Sequence, residues 1–168
     1  QNGLIYLWYH PEGGAPEFDL PELPVGSDSD WLPWKHHILR IKTHSREIVE
    51  NVVDVAHFKY IHGTHIDHFE NRFEDHRAIQ INHGVAYPRG GGKDAFELEA
   101  TYFGPGFQIS DMRGVLHSML VNAHTMIDEN TLDLRFGVSL QPGTDPEKTG
   151  AIADMYIKNL TQGFLEDV

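Results

Sequence analysis

The 168 residues contain no cysteine. That absence excludes a disulfide framework, a thiol nucleophile and any iron–sulfur cluster held by thiolates within these residues. A metal bound here must take its ligands from histidine and carboxylate. Basic residues are also few: 13 Lys and Arg stand against 25 Asp and Glu, and the acids are dispersed rather than gathered in a tail. A surface of that sign repels nucleic acid and anionic lipid, so neither is expected as a partner. No apolar run approaches the roughly 20 residues that span a bilayer, and no basic-then-apolar leader opens the chain. A cytoplasmic protein with no membrane segment is the expectation.

What is present suits one domain with a real core: 40% of residues are apolar and 11% aromatic. In the opening QNGLIYLWYH, the run LIYLWY reads as a strand already under way, and the closing GFLEDV carries no helix-stopping signal, so both ends look cut. Residues 11–34 hold five of the nine prolines together with glycines and acids, which predicts an irregular surface connector. A short strand, Ile38 to Lys42, follows. Ser45 can then cap a helix with apolar residues at Ile48, Val49, Val52, Val53, Ala56 and Ile61, running until Gly63 offers a stop.

From Ala78 the period changes to two. AIQIN, FELEATY, FQISDM, VLHSMLVNAHTMI and TLDLRFGVSL read as consecutive antiparallel strands, each with one wet face, separated by turn signals at RGGGKD, FGPG, MRG and DEN. QPGTDPEKTG ends the sheet before a last helix starting near Gly150. The expected class is α+β: an antiparallel sheet curling around a long C-terminal helix, with an apolar cavity between them. GGG at 90–92 lacks the strand and helix of a phosphate-binding loop and reads as a hairpin turn.

The chemistry concentrates in ENVVDVAHFKYIHG. Asn51, Asp54 and His57 step by about 60° around a helix, forming a polar ribbon on an otherwise apolar element. His57 and His62, five apart, diverge by about 140° on an ideal helix and can share one metal only if the helix bulges or ends between them. On the last helix, Tyr156, Leu160 and Phe164 form an apolar stripe with which Asp167 aligns, whereas Glu166 turns away. Two histidines and one carboxylate make a facial triad that leaves three positions open on ferrous iron. Asp54 can accept a hydrogen bond from an imidazole N–H and fix its tautomer, with Asn51 in support.

This stretch resembles the mononuclear iron motif of Rieske-type non-haem iron oxygenases, and most closely the branch of 3-ketosteroid 9α-hydroxylase oxygenase components and cholesterol 7-desaturases. The similarity extends over nearly the whole chain, from NGLIYLWYHPEG to EDV. The resemblance implies a helix-grip fold and Fe(II) bound by His57, His62 and Asp167. It also implies that Asp54 bridges electrons from a [2Fe-2S] Rieske cluster on a neighbouring subunit of a homotrimer. NAD(P)H would supply the electrons through a separate reductase, and dioxygen and an apolar, steroid- or sterol-like substrate would react at the iron, by hydroxylation or desaturation. Residues 1–10 then correspond to the end of a Rieske domain, 11–34 to the connector, and 35–168 to a catalytic domain truncated at its C-terminus. The cluster-binding C-x-H and C-x2-H motifs are absent, so the fragment is expected to be inactive alone.

Two other functions use some of the same features. A non-catalytic helix-grip lipid or sterol carrier would use the cavity but has no need of the polar ribbon. A zinc hydrolase would use the histidines with Asp54 as general base. His65 and His68 are expected in an exposed turn, and His117 and His124 as singly hydrogen-bonded strand residues on opposite faces. Tyr102, Phe103, Phe107, Met119, Met126 and Phe136 are either cavity lining or ordinary sheet core.

Overall fold

Period-two alternation closes into one antiparallel sheet. The computed structural model describes residues 1–25, 30–60, 63–87, 92–114, 116–142 and 146–166. Its elements are β1 (Lys35–Ile41), α1 (Ser45–Glu50), α2 (Ala56–Tyr60), β2 (Thr64–Glu74), β3 (Arg77–Ala86), β4 (Asp94–Phe103), β5 (Phe107–Arg113), β6 (Ser118–Asp128), β7 (Thr131–Leu140) and α3 (Pro146–Glu166). The strand order is β1-β7-β6-β5-β4-β3-β2. Strands β2 to β7 therefore form a meander of neighbours, while β1 lies at the far edge against β7. The short helices α1 and α2 carry the chain from one edge of the sheet to the other.

One face of the sheet receives all three helices. From β7, Leu132, Leu134, Phe136, Val138 and Leu140 are each fully buried, and burial of such a side chain contributes roughly 1.5–3 kcal/mol before entropy is counted. Ile157, Leu160 and Phe164 of α3 pack on this group together with Ile41 and Ile48, and the Phe164 ring meets Phe136 edge-on at 5.2 Å. The inward stripe expected of the last helix is thus present, although the helix begins at Pro146 rather than near Gly150. Beside it, Val52 and Phe58 cover Leu98, Ala100 and Tyr102 of β4. Arg40 clamps β1 to β7 through a two-pronged bond to Asp133 at 2.7 and 3.0 Å.

The other face is covered by residues of the N-terminal segment. Leu4, Tyr6, Leu20, Leu23 and Trp34 pack on Phe107, Ile109 and Val121. LIYLWY is not a strand: Leu4 and Tyr6 turn inward while Ile5 and Leu7 are 98% and 91% exposed. The alternation expected of a strand is there without a sheet edge to pair with. Asn2 ties this segment down, donating to the Pro21 carbonyl and accepting from the Leu23 amide, both at 3.0 Å. Phe103 and Phe107 belong to this face, as does Met119 by alternation with Leu120, so the six residues grouped as possible cavity lining divide between the two sides of the sheet.

The second strand was unexpected. Thr64–Glu74 pairs with β3 along its whole length, with a bulge between Ile66 and His68. His65 and His68 are therefore strand residues rather than part of a turn. Gly84 faces the bulge, and a Cβ there would collide with the His65 carbonyl oxygen. Among the described residues no helix is long and apolar enough to cross a membrane. The GGG turn lies largely outside the described residues.

Candidate metal centre

The helix expected from Ser45 to Gly63 is broken. His44, not Ser45, caps α1, its Nδ1 accepting from the Arg46 amide at 3.1 Å. The helix ends at Glu50 with Asn51 as its C-cap, and α2 starts only at Ala56. Asp54 causes the second start. Its Oδ1 accepts from the backbone N–H of Ala56 at 2.9 Å and of His57 at 3.3 Å, giving two otherwise unpaired helix-start amides a partner. A carboxylate that binds amides two and three residues ahead competes with continuation of α1, and the run Val52, Val53, Val55 weakens helix propensity around it.

Sheet residues hold the break from below. Gln80 of β3 is 3% exposed, and its Nε2 donates to the carbonyls of Asn51 and Val52 at 3.0 and 2.9 Å. These are end-of-helix carbonyls with no continuing turn to bond them. Asn51 is therefore engaged through its backbone oxygen, not along a polar ribbon shared with Asp54 on one continuous helix.

His57 receives its orientation from this turn. Its side chain is 12% exposed, its ring lies 4.4 Å from that of Phe58, and Nδ1 sits 2.5 Å from the Asp54 carbonyl oxygen. A carbonyl only accepts, so Nδ1 carries a proton, and in the neutral ring Nε2 is then the nitrogen with the lone pair. This tautomer is the one a metal-binding imidazole needs, with its outer nitrogen anchored by an acceptor. Asp54 Oδ2 lies 3.8 Å from Nδ1, and the Asp54 side chain is 51% exposed. Asp54 thus orients His57 with its backbone, caps α2 with one carboxylate oxygen and keeps its acidic edge open to water.

His62 and Asp167 lie outside the described residues. Among the described residues no three His, Cys, Asp or Glu are grouped to hold a metal. Gly63, at φ +62° just before β2, has the left-handed conformation that glycine adopts without strain. The remaining histidines are engaged elsewhere. His65 and His68 are 63% and 54% exposed beside Asp67 and Glu70. His117 bonds Asp111 at 2.7 Å, and His124 Nδ1 bonds the Pro105 carbonyl at 3.2 Å; of these two expected strand residues only His124 lies within a strand, His117 standing just before β6. Burial holds His124 below the usual imidazole pKa, an effect only partly offset by that bond. Burial likewise raises the Tyr102 phenol well above its usual value.

Gln80, which holds the turn, was not anticipated. In AIQIN the positions Gln80 and Asn82 read as a wet face, yet they are 3% and 0% exposed and lie beneath the helices. The only trace in the sequence is two amides at alternating positions in a strand.

Comparison with known proteins bears on the family and the fold. Residues 7–168 match the family described as 3-Ketosteroid 9alpha-hydroxylase C-terminal domain. The chain is 34% identical over 184 residues to a 3-ketosteroid-9-alpha-monooxygenase, oxygenase component, of Mycolicibacterium smegmatis, aligning all of this chain with 48% of that protein. It therefore spans about half the length of that relative. A quaternary ammonium Rieske monooxygenase in complex with an inhibitor superposes with a TM-score of 0.60 at 12% identity, over 79% of this chain and 36% of the other. A START superfamily protein from Mycobacterium smegmatis superposes at 0.58 with 10% identity, over 78% and 93%. The two structural likenesses show the helix-grip fold alone. The match along nearly the full sequence, which includes the Asp54–His57 turn, goes further: the chain belongs to the 3-ketosteroid 9alpha-hydroxylase C-terminal domain family.

Proposed function

We propose that this chain is the catalytic domain of a cytoplasmic Rieske-type oxygenase. It acts on an apolar, steroid- or sterol-like substrate by hydroxylation or desaturation. His57, His62 and Asp167 hold Fe(II), and Asp54 faces the electron donor. One observation carries the proposal: the Asp54 carbonyl fixes the His57 Nδ1 proton, which leaves Nε2 as the ligand atom. The donor set suits the metal, since imidazole and carboxylate without thiolate match a facial triad on ferrous iron.

When bound, the iron supplies activation of dioxygen at its open positions. The protein's own residues perform the rest. The Asp54 cap and the two Gln80 bonds fix the turn from which His57 projects, so the imidazole needs no reordering on metal entry. Val52 and Phe58, both buried against β4, keep water from the inner side of that turn. The exposed edge of Asp54 offers a carboxylate to an electron-donating partner without disturbing its capping oxygen. In the intact protein the partners are a Rieske domain with its [2Fe-2S] cluster, presented by a neighbouring subunit of a homotrimer, and a reductase drawing on NAD(P)H.

The test is iron content after anaerobic reconstitution with Fe(II). One iron per chain is expected for the wild type, with loss in His57→Ala, His62→Ala and Asp167→Ala. Retention of iron by all three variants would refute the assignment.

A further inference from the structure

The bulge in β2 changes which of its side chains share a face. His65 stands opposite Val85 and His68 opposite His83, with Asp67 left over between Ile66 and His68. Val85 and His83 are two apart on β3 and project to one side of the sheet, so His65 and His68, three apart in sequence, project to that side as well. An unbroken strand would send them to opposite faces. The shared side is the one turned away from the helices, because the neighbouring Asn82 is buried on the other.

These histidines are open to solvent: His65 and His68 are 63% and 54% exposed, and His83 is exposed too. The ring centroids of His68 and His83 lie 5.4 Å apart, with the planes tilted by 38°. An imidazole nitrogen sits roughly 2.0–2.1 Å from an ion such as zinc, which puts the centroids of two rings on one ion roughly 4.5–5.2 Å apart. The pair is within a few tenths of an ångström of that spacing before either exposed ring turns. Negative charge flanks it on both sides. Glu70 lies 3.6 Å from His68 Nε2 and Glu97 stands opposite His83 on β4. Glu70 is itself held by Arg72 at 2.7 Å and His65 lies 3.3 Å from Asp67, so the two facing imidazoles are the ligands and water completes the shell.

We propose that His68 and His83 form a second metal site, a cross-strand clamp for a late divalent first-row cation such as Ni(II), Cu(II) or Zn(II). Imidazole donors select that class, whereas Mg(II) and Ca(II) take oxygen ligands. A bound ion ties the edge strand β2 to β3 at the first pair beyond the bulge, where the backbone ladder is interrupted. The clamp shares no residue with the candidate iron centre and lies on the face of the sheet away from α2. It therefore stands or falls independently of the oxygenase assignment.

The test is titration calorimetry with nickel chloride on the intact iron-loaded protein, on His68→Asn, His83→Asn and the double variant, and on His65→Asn as the neighbouring control, with iron content measured before and after. The wild type is expected to take up one Ni(II) per chain and keep its iron. Losing a ligand costs at least what losing a ligand's outer partner does, so each of His68→Asn and His83→Asn should weaken binding by about 10–100-fold or more. The double variant should be within about twofold of the single ones, because one imidazole alone no longer chelates and the two losses are not additive. His65→Asn should keep the wild-type affinity. Nickel should also raise the thermal midpoint of the wild type and leave that of the double variant unchanged. Unchanged affinity in both single variants, equal weakening in His65→Asn, additive losses in the double variant, or nickel uptake only in exchange for iron overturns the clamp.

Discussion

Replacing Gln80 by methionine keeps the length of the side chain and removes both donors. The carbonyls of Asn51 and Val52 then lose their bonds. The Val52 bond is buried and the Asn51 bond partly so, which makes the first loss the heavier. An unsatisfied buried acceptor costs roughly 1–3 kcal/mol, and one that water can reach costs less, so a total of about 2–4 kcal/mol is expected. For a domain of this size that lowers the thermal midpoint by roughly 4–16 °C. The effect should also be local. Hydrogen exchange at the Ala56 and His57 amides, which Asp54 bonds across the break, should accelerate before exchange in the centre of β7. Urea unfolding gives the first quantity and exchange mass spectrometry the second. A Gln80→Met protein within 0.5 kcal/mol of wild type, or one whose loss of protection is uniform, would show that β3 does not hold the turn.

Asp54 separates two roles by chemistry. Asn retains the capping oxygen, so Asp54→Asn should stay within about 0.5 kcal/mol of wild type, whereas Asp54→Ala should lose about 1 kcal/mol; both should lose turnover in the reconstituted system, and turnover by Asp54→Asn would remove the carboxylate from electron transfer. His36 and His124 give a pH dependence. Burial depresses both imidazoles, with backbone bonds to Phe136 and Pro105 offsetting part of the effect. Their stability contribution is present above the unfolded value of about 6.5 and is lost as pH falls through the depressed folded values, because the unfolded chain then binds more protons. The urea midpoint should drop between pH 8 and pH 5.5 and drop less in His124→Asn; an equal drop in the two proteins would refute the buried neutral state of His124.

The strands most legible in the sequence were those with one strongly apolar face or a continuous apolar run. FELEATY alternates as β4 does, and TLDLRFGVSL coincides with β7 end to end. THIDHFENRFE was not legible because it is an edge strand with both faces partly wet, where ion pairs such as Glu70 with Arg72 at 2.7 Å replace apolar packing. The helix break was hidden for a different reason. Its cap, Asp54, is local and readable in principle, but the donor that satisfies the broken end comes from Gln80, 28 residues beyond Val52. Periodicity carries no information about such a contact. The histidine–aspartate spacing could be read in the sequence, yet the chain orients His57 through a backbone carbonyl, an atom every residue possesses and no motif distinguishes.

The topology also dictates when the candidate centre can form. β1 and β2 are consecutive in the chain yet occupy opposite edges of the sheet, and the α1–α2 turn that bears His57 is the thread between them. As the chain emerges from the ribosome, β1 has no partner until β7 has been made, since Leu39 pairs with Leu134. The thread therefore stays slack through most of synthesis, and the long loop between β1 and β7 must close before it is drawn tight. The turn that bears His57 can rest on β3 and β4 early, but the thread that holds it is drawn tight only when β1 finds β7.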